Sequence, residues 1–102
     1  MARKLHALAA DPTPHILDLA GLGIHVRNQR VRHGLRIDDA AALCGVSADV
    51  LSRLENGKAI TVDRLLLVLQ GLGLHLFAVP ASLAHATEAS IAALAAPAEP
   101  LP

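Results

Sequence analysis

The residues of this chain that could do chemistry are six histidines, one cysteine and a polar run between positions 45 and 58. His6, His15, His25, His33, His75 and His85 are scattered along the sequence. No pair has the four-residue helical spacing of a zinc motif, and no carboxylate cluster completes a site. No metal or other cofactor is expected. A lone cysteine permits neither an internal disulfide nor a cysteine-based zinc site. Cys44 precedes Gly45 on the inner side of a turn, where a buried small hydrophobe fits better than a redox-sensing thiol. There is no nucleophile–base–acid arrangement and no phosphate-binding loop, so no enzymatic activity is expected. Gly21-Leu22-Gly23 opens like a dinucleotide fingerprint, but it lacks the third glycine and follows no strand. Its echo at Gly71-Leu72-Gly73 reads as chance. The polar run is more informative. An arginine such as Arg53 can fork onto guanine O6 and N7, and a carboxylate such as Asp49 can accept from cytosine N4.

Composition limits what can position those side chains. The chain has 102 residues, the size of one small domain. It is 53% hydrophobic, with alanine and leucine dominant, Phe77 its single aromatic residue, and no Trp or Tyr. An aliphatic helical core follows, and a β-sandwich is disfavoured. Nine basic and nine acidic residues cancel, so no global charge points to nucleic acid or membrane. Arg3 and Lys4 are followed by no apolar segment long enough for a signal peptide, which makes the cytoplasm the default compartment. Leu65 to Ala84 carries no Asp, Glu, Lys or Arg and is long enough to span a bilayer. Gln70, Gly71, Gly73, His75, Pro80 and Ser82 interrupt it, and its period changes halfway, which argues against a membrane helix.

The elements follow from periodicity and stop signals. Residues 1–14 read as a flexible N-terminal arm, closed by Pro12 and Pro14. The spacing predicts a first helix over Leu17 to His33, stopped by Gly34. A second runs from Ile37 to Cys44, with Asp38 and Asp39 in its first turn. Gly45 ends it, and Ser47 caps a third helix from Ala48 to Glu55. After the Asn56-Gly57 turn, a fourth runs from Val62 to about Gln70, stopped by Gly71 and Gly73. Leu74 to Val79 is short, apolar and bounded by glycine and proline, which is a strand signal. A lone strand needs a partner, and the same strand of a second copy is the simplest one. Residues 81–102 form an Ala/Pro-rich tail with a weak helix over Ser82 to Ala95.

Ile37 to Glu55 is thus helix, tight glycine turn, helix. Ala41 is small where the two helices cross; Val46, Val50, Leu51 and Leu54 can pack inward, while Ala48, Asp49, Ser52 and Arg53 face out. This spacing is that of a helix-turn-helix, with an ordinary helical hairpin as the alternative. The run Gly45-Val46-Ser47-Ala48-Asp49-Val50-Leu51-Ser52-Arg53-Leu54-Glu55-Asn56-Gly57-Lys58 resembles the Cro/phage-repressor-type, or Xre, helix-turn-helix family. Arg27 and Arg30 are similar to its first-helix arginines, and Leu65 and Leu69 to Leu72 to its last helix. The resemblance covers residues 19–73. The layout of Leu74 to Val79 resembles the HipB-like antitoxin subgroup, where such a strand pairs across a dimer.

The resemblance implies roles. Ala48, Asp49, Ser52 and Arg53 would lie on the recognition helix that enters the major groove, with Ser47 and Lys58 near phosphates. Asp49 also has a local reading, serving the dipole of its own helix. Arg30 and Glu55 would form an ion pair orienting the recognition helix. Leu74, Leu76, Phe77, Ala78 and Val79 would form the dimer strand. There are departures from the pattern. Arg36 and Ile37 stand where the family has Thr-Gln, so a neutral phosphate contact becomes charged and a hydrogen bond is lost. Ala40 replaces a leucine and thins the core.

The expected fold is all-α: a five-helix-type, lambda-repressor-like helix-turn-helix domain over residues 15–80, with a short strand at 74–79 pairing across a dimer. The expected function is sequence-specific binding of double-stranded DNA by a cytoplasmic, nucleoid-associated homodimer, with repression of transcription. A HipA-like kinase toxin is a further partner if the antitoxin resemblance holds. The alternative is a protein-interaction module on the same fold. Between positions 19 and 64, seven basic and five acidic residues leave a patchy potential that relies on placed arginines.

Overall fold

The first helix starts where a carboxylate can hold a free amide. Asp18 is extended, and its Oδ1 accepts from Gly21 N at 2.8 Å. This cap sets the start two residues later than periodicity alone suggests. In the computed structural model, which describes residues 13–96, α1 is Leu19–Arg32, α2 Ile37–Cys44, α3 Ala48–Glu55, α4 Val62–Leu72 and α5 Ala84–Ala95. A turn of 3-10 helix, Ala81–Leu83, precedes α5. Of the N-terminal arm expected over 1–14, residues 1–12, with His6, lie outside the described residues, as does the proline-rich end at 97–102.

The bounds of α2 and α3 coincide with those read from the sequence. Gly45 makes the turn between them at φ 75°, a left-handed conformation that costs glycine little. Val46 N donates to Ala41 O at 3.0 Å, closing the end of α2. Ser47 Oγ then accepts from Val50 N at 3.1 Å, starting α3.

These helices bury a small aliphatic core. Leu22 and Val26 of α1 meet Leu51 and Leu54 of α3, Ala40, Ala41 and Cys44 of α2, and Val68, Leu69 and Leu72 of α4. α1 packs chiefly on α3, and α2 on α3 and α4. Ile37 packs against this core, so the residue in place of the family's glutamine turns inward. Small residues allow the close crossings. A Cβ on Gly23 would sit 2.5 Å from Leu54 O and 2.8 Å from Glu55 O, so glycine lets α1 touch the last turn of α3.

Two expectations need correction. Gly71 does not stop α4; it lies inside the helix, where a Cβ would meet Cys44 Sγ at 2.5 Å. The helix ends at Gly73 instead. The strand expected over Leu74–Val79 is not formed. Residues 74–80 have no regular secondary structure: among the described residues no strand pairs with them to complete a ladder. Leu74 instead closes α4, its N–H donating to Leu69 O at 2.8 Å, and it packs against the core. Leu76, Phe77, Ala78 and Val79 are exposed. The tail beyond them is helical as α5, which has no buried residue. No described helix is long and apolar enough to cross a membrane.

Gly23→Ala forces two backbones apart. A loss of about 1–3 kcal/mol is expected in urea unfolding. A loss below about 0.5 kcal/mol, the scale of an ordinary surface change, would show that α1 and α3 can separate freely.

Candidate nucleic-acid interface

The outer face of α3 is built by what its inner face buries. Leu51 and Leu54 are fully enclosed, and Val50 is half-buried at the edge. The 3.6-residue period then turns Ala48, Asp49 and Arg53 to solvent, with Ser52 half-buried between them. Ser47, the cap, is exposed at the N-terminal end. Lys58 is exposed on the loop that follows, its N–H donating to Arg53 O at 2.9 Å. The side chains the sequence singles out on this helix and at its ends therefore lie along one element and the loop after it.

Arg53 is partly fixed. Its Nη2 donates to Ala59 O at 3.2 Å, which ties the guanidinium to the loop between α3 and α4. A guanidinium has further donors to offer a ligand. Sequence reasoning missed this tether, since nothing in the local pattern places Ala59 against Arg53. Arg36 stands just before α2 on the exposed surface and its side chain does not cap the helix; its Nε lies 3.8 Å from Asp38 Oδ1, so part of its charge is met locally. Asp63, on the exposed first turn of α4, is held below the usual carboxylate range, chiefly by the Thr61 hydroxyl.

Behind α3 stands the Arg30–Glu55 pair. Arg30 Nε donates to Glu55 Oε2 at 2.6 Å and Nη2 to Oε1 at 2.8 Å, a two-point fork. Nη1 donates to Leu35 O at 3.0 Å. The side chains are only 13% and 5% exposed. The hydrogen bonds it donates to Glu55 raise the pKa of the guanidinium above its ordinary value, against the opposing effect of burial. One side chain thus fixes the end of α3 and the start of the connection to α2. Gln29 and His33 add a second clasp, both donating to Leu72 O, at 2.9 and 3.2 Å. No local pattern signals that clasp, because Leu72 offers only its carbonyl.

Cys44 lies in the core, its Sγ 3.6 Å from Val68 O. Burial pushes its thiol up from the ordinary 9.0. Among the described residues, no three His, Cys, Asp or Glu side chains come together as a metal site.

A family model described as helix-turn-helix matches residues 26–78. The chain belongs to the Cro/phage-repressor-type, Xre-like helix-turn-helix family. No curated protein matches it. The helix-turn-helix match begins inside α1, runs through α2, α3 and α4, and ends before α5.

Arg30→Ala strands Glu55 in a mostly buried position. A loss of about 3 kcal/mol is expected in denaturant unfolding. A loss within the roughly 0–1 kcal/mol of an exposed pair would mean that α3 is held by its apolar contacts alone. Cys44 should resist iodoacetamide in the folded protein and react at the rate of unfolding. Because its folded value is raised, its contribution to stability is full below pH 9.0 and falls as pH rises beyond it. Rapid labelling under native conditions would contradict both statements.

Proposed function

We propose that this chain binds double-stranded DNA at specific sequences and controls transcription as a repressor, acting as a homodimer on a two-fold operator. The observation that carries this reading is the exposed face of α3, with Asp49 and Arg53 over buried Leu51 and Leu54, braced at its far end by Arg30. Membership of the helix-turn-helix family supports it. In such a dimer the two recognition helices stand about 34 Å apart and read successive major grooves. The protein carries out no catalysis on this reading, and its place is the cytoplasm, on the nucleoid. Arg53 would read guanine; Ser47, Lys58 and Arg36 would meet phosphates.

The narrower antitoxin reading, HipB-like with a kinase toxin as partner, draws on the length and layout of the chain after α4. A kinase gene beside this one would favour it. A protein-interaction module is the competing reading, favoured by the zero formal charge and by Ile37 facing the core.

Selection of bound fragments from the source genome, at low and near-physiological salt, tests the proposal. Enrichment of one inverted repeat at both salts is expected. Binding only at low salt, without sequence preference, would favour the protein partner. Arg53→Ala should cost about 1–3 kcal/mol on the enriched site and relax one base position. Lys58→Ala should weaken binding to all sequences alike and lower the salt slope by about 1. Equal binding by Arg53→Ala to cognate and altered sites would remove Arg53 from the reading.

A further inference from the structure

α5 follows a stretch without regular structure, residues 74–80, and the turn Ala81–Leu83. It buries no residue. A cleft of about 680 Å³ lies between it and the body formed by α1 to α4, with Leu22 and Leu65 on the body and Ile91 on α5. Burial therefore does little to fix where α5 sits. A helix of 12 residues is also marginal by itself in water. One of its polar side chains is satisfied within the segment, since Thr87 Oγ1 donates to Leu83 O at 2.8 Å. Half-buried Glu88 turns instead to a residue 75 positions earlier in the chain.

That residue is Thr13, where three hydrogen bonds meet. His25 Nε2, on α1, donates to Thr13 O at 2.8 Å. His15 N donates to Thr13 Oγ1 at 3.2 Å. Thr13 Oγ1 in turn donates to Glu88 Oε1. The directions are fixed by chemistry. A carbonyl and a carboxylate only accept, so the imidazole gives its proton to Thr13 O and the hydroxyl gives its proton to Glu88. The hydroxyl lone pair is then open to the amide of His15. Pro14 stiffens the segment: it locks its own φ and keeps Thr13 extended. Pro14 and His15 also line the cleft, so the same short segment closes part of its rim. One threonine thus gives its carbonyl to α1 and its hydroxyl to α5.

We propose that residues 13–15 are a strap that holds α5 against the body, with Thr13 as its buckle, and that α5 passes between this docked position and a released one in which the cleft is open. A single hydroxyl–carboxylate bond at a half-exposed site holds weakly, so docking belongs to the low-stability end of the molecule. Released, α5 lacks the contact that steadies it and frays, as a short helix does in water. None of these bonds involves α3 or the Arg30–Glu55 fork, so the strap stands or falls apart from the DNA-binding reading.

Hydrogen exchange of the full chain, followed amide by amide, tests the strap. Thr13→Val keeps the shape and removes the hydroxyl; the amides of α5 should then exchange about fivefold faster or more, the scale of one lost hydrogen bond. Those of Leu51 and Leu54 in the core should not change. Thr13→Ser restores the hydroxyl and should bring α5 back to within about twofold of the wild type. Glu88→Leu removes the acceptor and should match Thr13→Val. The double variant should be no faster than either single one, because the two groups act as one bond. Unchanged exchange of α5 in Thr13→Val overturns the strap. So do additive effects of the two substitutions, failure of serine to restore protection, or equal acceleration throughout the core.

Discussion

The fork between Arg30 and Glu55 is the constraint on which the geometry of this domain turns. Glu55 ends α3, where the helix dipole disfavours a carboxylate. The arginine on α1 reverses that penalty and binds Leu35 O as well, so three segments are fixed by one guanidinium. Burial makes the pair costly to form and more costly to break on one side. The fork and the Gly23 crossing act on the same last turn of α3, at Glu55 and Leu54.

The rest of the core is modest, and it works through close approach. Ala40, Ala41 and Cys44 are small, and Gly23 and Gly71 remove side chains where α3 and α2 press in. With few large groups to bury, backbones come nearer and the remaining leucines, above all Leu51 and Leu54, fill the centre. That arrangement leaves the whole outer face of α3 free for polar residues. It also places the loop after α3 near enough for Ala59 O to hold Arg53. A ligand meeting this face meets a partly ordered arginine, which lowers the entropy cost of binding.

The chain after α4 follows different rules. The body buries apolar residues on one side of each helix, whereas α5 buries none, and Phe77 and Leu94 stand 82% and 87% exposed. Its composition has almost no charge, while the body mixes arginine and aspartate. Residues 74–96 lie largely beyond the part matched by the helix-turn-helix family, which ends at residue 78.

Local signals in the sequence were sufficient for α2, the Gly45 turn and α3. Each of their ends is marked by a residue acting on its immediate neighbours: Asp38 and Asp39 in a first turn, glycine at a left-handed position, Ser47 on the amide of Val50. The outward face of α3 was legible for the same reason, since period and burial agree there. What depended on distant partners was not legible. A short apolar run at 74–79, bounded by glycine and proline, predicts a strand, but a strand exists only with a neighbour, and the fold supplies none among the described residues. Gly71 looked like a helix stop, yet a glycine that ends a helix and one that lets Cys44 approach carry the same letter. The tether of Arg53, the clasp on Leu72 O and the inward turn of Ile37 likewise arise from atoms brought together only by packing. Sequence determined which residues α3 presents; tertiary structure decided how firmly they are held, because capping and periodicity act over a few residues, while crossings and carbonyl contacts join distant ones.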